Sequence, residues 1–173
     1  VLAEQDPLTG LYNRRYVDAQ LSLALMRLRD GGPELAIAMI DLDHFKRVND
    51  RFSHEVGDDV LRELGELLSR CADAVRGGVA ARIGGEEFLV ILPGTDRAAA
   101  RTCFEAPRRE IADRDWAPIA AGLAVTASIG VVSAPGDGQR SSALLRLADE
   151  RLYAAKAAGR NIVIADGADE TSR

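Results

Sequence analysis

The most constraining stretch of this sequence is Leu35 to Leu42, an apolar run that ends in the acids of Asp41-Leu42-Asp43. Apolar residues at every position, not every second one, are the pattern of a short strand covered on both faces. Layers must therefore pack above and below it. From about Tyr16 to Arg29, Leu21, Leu25 and Leu28 recur at helical spacing, and Gly31-Gly32-Pro33 ends the run. Asp58 to Cys71 returns to helical period through Val60, Leu61, Leu64, Leu67 and Leu68, and Gly77-Gly78 breaks it. Val79 to Ile83 and Phe88 to Leu92 flank Gly84-Gly85-Glu86-Glu87 and predict a β-hairpin. Thr95 or Asp96 N-caps a helix to about Asp113, which Pro107 kinks or ends early.

Ala124 to Val132 is predicted as a strand. Ser141 or Ser142 starts a helix to about Ala158, with Gly159 at its C-cap, and Asn161 to Ala165 closes the chain with a strand. Strands and helices alternate around one hairpin. The expected fold class is therefore α/β, a mixed central β-sheet flanked by helices. The 173 residues fit one domain, 1–173, and 47% apolar content supports a real core. A start at Val1 instead of Met points to a fragment of a longer protein.

The net charge of −5 opposes a nucleic-acid platform but leaves room for a local cationic cluster around one nucleotide. Cys71 and Cys103 have no metal spacing and read as free cytosolic thiols. No apolar run reaches the ~18 residues of a membrane span, and no signal peptide is visible. The expectation is a cytoplasmic segment without membrane contact.

Four groups of residues carry possible chemistry. Asp41 and Asp43 share one face at the carboxyl end of a strand, the edge where open α/β sheets place ligands. Such a pair suits a hard cation, which prefers oxygen ligands and tolerates backbone carbonyls, while Asp43 serves equally well as an N-cap with Lys46 an exposed helical residue. Gly84-Gly85 permits a tight turn and close approach of a phosphate, and adjacent Glu86 and Glu87 want solvent or a cation. Lys156 and Arg160, read as i and i+4 on one helix face, either bind outer phosphates or compensate the helix dipole. Asn49, His54 and Asp58 either read a guanine edge or form a turn, a surface His and an N-cap.

Gly84-Gly85-Glu86-Glu87-Phe88 resembles the signature of the GGDEF family in its Glu variant. The resemblance extends through Asp6-Pro7-Leu8-Thr9-Gly10-Leu11-Tyr12-Asn13-Arg14-Arg15, Asp41-Leu42-Asp43-His44-Phe45-Lys46, Asn49-Asp50 and Gly57-Asp58. It continues in Val125 to Gly130 and in Ala148 through Asn161. Members of that family are diguanylate cyclases with a nucleotidyl-cyclase or palm-like fold. The resemblance implies condensation of two GTP into c-di-GMP with Mg2+, or alternatively Mn2+, in a homodimer governed by an upstream sensor domain. It implies that Asp41, Leu42 and Glu86 ligate the metal and that Glu86 acts as base, with Glu87 in support. Lys46 would stabilise phosphate charge, Asn49, His54 and Asp58 would hold guanine, and Lys156 and Arg160 would hold the β- and γ-phosphates. Two departures stand out. The family's inhibitory Arg-x-x-Asp positions are Val75 and Gly78, which predicts little product inhibition there, and Ser53 replaces the usual Gly. The alternatives are a silent GTP- or c-di-GMP-binding receptor module and a purely structural dimerisation domain. Retention of both signature glutamates favours the enzyme.

Overall fold

The computed structural model describes residues 4–167. Helix α1 (Arg14–Arg29) precedes strand β1 (Leu35–Leu42), and two helices follow, α2 (Phe45–Arg51) and α3 (His54–Asp73). Then come β2 (Val79–Arg82), β3 (Glu87–Pro93), α4 (Arg97–Asp113), β4 (Ala127–Ala134), α5 (Ser141–Ala157) and β5 (Val163–Ile164). The sheet order is β2-β3-β1-β4-β5. Strand β1 is antiparallel to both neighbours, β2 is antiparallel to β3, and only β4 and β5 run parallel.

Every residue of β1 is buried, as its composition demands. Its even positions, Ala36, Ala38, Ile40 and Leu42, enter a core with α2, α3 and α4. Its odd positions, Leu35, Ile37 and Met39, enter a second core with α1 and α5. The two-residue period of a strand thus sorts one apolar run into two helix layers. The chain is an α/β protein with a mixed five-stranded sheet and helices on both faces. No helix among the described residues is long and apolar enough to cross a membrane.

Several boundaries differ from the sequence reading. Pro107 neither ends α4 nor shortens it: the helix continues to Asp113, burying Phe104 and Ile111 on either side. Its N-cap is Asp96, whose carboxylate accepts from Ala99 N at 2.8 Å. β4 spans 127–134 instead of 124–132, because its pairing with β1, from Leu42↔Ala127 to Leu35↔Ala134, fixes both ends. β5 shrinks to two residues, since Arg160 and Asn161 have φ of 67° and 51°, outside the extended region. The same turn removes Arg160 from α5, which ends at Ala157, so Lys156 and Arg160 do not form a helical i, i+4 pair.

Candidate active site

The carboxyl end of β1 meets the turn between β2 and β3. Asp41 pairs in register with Glu87 on one side and Ser128 on the other. Leu42 N donates to the Glu86 carbonyl at 3.4 Å, so the Leu42 carbonyl faces the same side, toward Glu86. Asp41 is 4% exposed. Its Oδ2 accepts from the Lys156 ammonium, while its Oδ1 has no partner. Burial is the largest influence on Asp41 and holds it above the usual carboxylate range. Lys156 opposes that push, and the charges of Glu86 and Asp43 add to it.

Asp43 does something else. Its carboxylate accepts from Thr126 Oγ1 at 2.7 Å, Ser128 Oγ at 2.7 Å and Asn161 N at 3.0 Å. It ties the segment before β4 and the turn after α5, which carries the exposed Arg160, to the end of β1. It does not cap α2: the N-cap position is His44, in the left-handed region with φ 54°. Asp58 is not an N-cap either. Ser53 caps α3, its Oγ accepting from Val56 N at 3.0 Å, which gives the replaced glycine a structural use.

Beside the turn lies a pocket of about 370 Å³. Lys46 and Asn49 reach it from α2, His54 and Asp58 from α3, and Glu86 from the turn. Phe45 and Leu61 give it an apolar wall. Asn49 Oδ1 is buried without a hydrogen-bond partner. It packs so closely on α3 that a Cβ at Gly57 would lie 1.9 Å from it, so a larger residue there would push the Asn49 side chain out of its present place. Asp41, Leu42 and Lys156 stand outside this pocket at the adjoining strand edge, and Glu87 is exposed beside Gly84.

The sequence reading missed Arg82. Its Nε donates to the carbonyls of Gly84 at 3.2 Å and Gly85 at 3.0 Å, and its Nη2 to Gly85 O at 2.9 Å. Its Nη1 reaches Asp6 Oδ1 at 3.2 Å and Oδ2 at 3.3 Å. Asp6 also accepts from Thr9 N at 2.9 Å and Thr9 Oγ1 at 2.7 Å. Burial would raise the Asp6 carboxyl, but Thr9 and Arg82 outweigh it and hold it below the usual range. One guanidinium therefore fixes the carbonyls just before Glu86 to the opening segment. The available signal was a cation inside an otherwise apolar strand, which needs a partner. If the glutamates act in turnover as the resemblance implies, Arg82→Ala is expected to lower kcat about tenfold with a smaller change in KM, because the turn that carries them loses its tether while Asn49, His54 and Asp58 keep their places in the pocket. Steady-state kinetics checks this, with Arg82→Lys recovering only part of the loss.

The positions of the absent Arg-x-x-Asp pair have a steric reason to stay empty of aspartate. Gly78 N donates to Val75 O at 2.9 Å, and a Cβ at 78 would lie 2.1 Å from the Ala72 carbonyl.

No group of three or more His, Cys, Asp or Glu side chains suited to a metal occurs among the described residues. A cation at the strand edge would therefore take backbone, water or substrate oxygens besides Asp41 and Glu86. The unpartnered Asp41 Oδ1, the neighbouring Glu86 and the Leu42 carbonyl are all oxygen donors, a set that fits a hard divalent ion keeping part of its water shell.

The response regulator PleD of Caulobacter vibrioides is 43% identical over 170 residues, covering 96% of this chain and 37% of that protein. The diguanylate cyclase DgcP of Pseudomonas aeruginosa is 41% identical over 157 residues, covering 90% of this chain and 23% of that protein. The chain thus spans well under half the length of these curated relatives. The GGDEF domain of DgcB from Caulobacter crescentus, solved in complex with c-di-GMP, superposes with a TM-score of 0.84 at 35% identity. That match covers 94% of this chain and 95% of the other. Residues 3–162 match the family model described as diguanylate cyclase, GGDEF domain, and the chain belongs to that family.

Proposed function

We propose that this domain is an active diguanylate cyclase that joins two GTP into c-di-GMP with release of two pyrophosphates. The observation that carries the reading is a pair of buried oxygens without protein partners: Asn49 Oδ1, on a residue that lines the pocket with Glu86, and Asp41 Oδ1, on a carboxylate that feels the charge of Glu86. Buried polar atoms are rarely left unpaired unless a ligand, ion or water completes them. One orphan suits a cation and the other a base donor.

In this reading Asn49 Oδ1 and the Asp58 carboxylate accept from the guanine N1–H and N2–H2 groups, with His54 at the pocket mouth. Phe45 and Leu61 cover an apolar face of the base. Lys46 lies against the phosphates and stabilises their developing charge. Asp41, Glu86 and the Leu42 carbonyl hold Mg2+, or Mn2+ in its place. When bound, the metal neutralises phosphate charge and lowers the pKa of the attacking 3′-hydroxyl. Glu86 accepts the proton of that hydroxyl, with Glu87 beside it. Lys156, now paired with Asp41, has a third of its side chain open and turns with Arg160 to the β- and γ-phosphates. A two-fold symmetric product requires two such sites face to face, so the working form is a homodimer of C2 symmetry. An upstream sensor region brings the two copies together in the cytoplasm, and product inhibition through positions 75 and 78 is weak.

The test is incubation with GTP and Mg2+, read as pyrophosphate release and c-di-GMP by chromatography. ATP presents a donor where guanine presents an acceptor and lacks the N1–H, which costs about 1–3 kcal/mol for each polar partner stranded. Turnover of GTP with ATP rejected supports the reading. Tight GTP binding without pyrophosphate overturns it in favour of a silent receptor module.

A further inference from the structure

We propose that Cys71 and Cys103 form an oxidisable thiol pair, joined by a hydroperoxide into a disulfide that ties α3 to α4. Both thiols are free and partly buried. They line the same cavity of about 350 Å³ between the two helices, together with Leu67, Val75 and Pro107. Its rim carries an exposed ion pair, Arg70 with Glu110 at 3.6 Å.

Pro107 explains why the thiols meet. In an α-helix the N–H of residue 107 would bond to the carbonyl of residue 103, and proline has no N–H. The Cys103 carbonyl is thereby left without its helical donor. Cys71 Sγ lies 3.9 Å from that oxygen, where its S–H serves as a weak donor. Burial pushes the Cys71 thiol up to about 11, with Cys103 adding to the shift, so the donor stays protonated at neutral pH. The carbonyl oxygen is three bonds from the Cys103 Cβ. A disulfide requires the two sulfurs to approach to about 2 Å by rotation about χ1, and both side chains line the one cavity in which they would turn.

The chemistry balances in two steps. A hydroperoxide oxidises the Cys103 thiol to a sulfenic acid: the O–O bond breaks, an S–O bond forms and the alcohol, or water from hydrogen peroxide, leaves. The Cys71 thiol then gives up its proton and its thiolate attacks the sulfenic sulfur, a step that the raised pKa of Cys71 makes faster as pH rises. The S–S bond forms, the S–O bond breaks, and the Cys71 proton departs with the hydroxyl as water. Two thiols have lost two electrons and two protons to the peroxide. The bond closes a segment of 32 residues between the helices, which narrows the unfolded ensemble.

The experiment treats the protein with hydrogen peroxide, alkylates the remaining thiols and measures intact mass and a non-reducing peptide map. The expected result is a loss of about 2 Da, no alkylation, and one linked peptide pair holding residues 71 and 103. Tm should rise on the order of 5–10 °C and fall back with dithiothreitol. Cys71→Ser keeps a hydroxyl donor for the Cys103 carbonyl, so its circular dichroism should match the parent while no link forms. Cys103→Ser should behave likewise. Two alkylatable thiols after peroxide, oxygen addition without a link, or links only between molecules would each overturn the proposal.

Discussion

Asp41→Asn is expected to abolish turnover while leaving the fold at least as stable as the parent. Asp41 is a buried carboxylate with one oxygen unpartnered, and Glu86 and Asp43 add negative charge around it. Burying charge in that company is unfavourable to folding, and Lys156 offsets only part of it. Asparagine keeps the shape, keeps an acceptor for Lys156 and removes one of three crowded negative charges. Stability should therefore hold or rise, read as an unchanged or higher Tm. In the proposed mechanism the reaction loses an anionic oxygen that would hold the cation against the phosphates. Charge stabilisation of that kind is worth several kcal/mol, so kcat/KM should fall by at least about 10³-fold at saturating Mg2+. Turnover within tenfold of the parent would remove Asp41 from the reaction. A collapse in Tm would make it a structural residue instead.

What the sequence disclosed and what it hid have a common physical cause. β1 was legible because a strand buried on both faces needs apolar side chains, and its one exception, Asp41, stands out as a carboxylate that needs a reason. The alternation of elements around it was legible for the same local reason. Interactions over long separations were not. Lys156 reads as a phosphate ligand or as a cation offsetting the helix dipole, yet it folds onto Asp41, 115 residues away. Arg82 reads as an odd cation in a strand until Asp6, 76 residues away, supplies its partner. Asp43 offered two local roles, metal ligand and N-cap, and took a third, three hydrogen bonds to donors 83 to 118 residues distant. Pro107 reads as a break because local rules count the lost helical bond. Tertiary packing of Phe104 and Ile111 and a thiol from another helix keep the turn in place. The pocket residues Asn49, His54 and Asp58 fall between these cases. Their chemistry was visible, but their convergence depends on α2 and α3 crossing at one corner.

Gly130→Ala is expected to destabilise the domain by about 3 kcal/mol, at the upper end of what overpacking costs. Gly130 lies in β4, between Met39 of β1 and Ile164 of β5. Helix α5 crosses it at backbone contact. A Cβ there would lie 2.4 Å from both Ala148 O and Leu152 N, and 2.9 Å from Arg151 C. Backbone atoms cannot swing aside as a flexible side chain can, so the whole helix must lift. Arg151 resists that, since its Nη1 holds the Val131 carbonyl at 2.9 Å and Asp137 Oδ2 at 2.9 Å. The expected drop in Tm is about 6–12 °C for a domain of this size. Turnover should also fall at temperatures where the variant is still folded, because α5 presents Lys156 to Asp41. Gly85→Ala makes the comparison decisive. A Cβ at Gly85 meets nothing within 4 Å, so the fold has no objection to alanine there. Its Tm should stay with the parent, and any lost turnover then reports the space a bound phosphate needs. If Gly130→Ala melts with the parent, α5 is free to lift, and the contact with β4 is not what holds Lys156 at the strand edge.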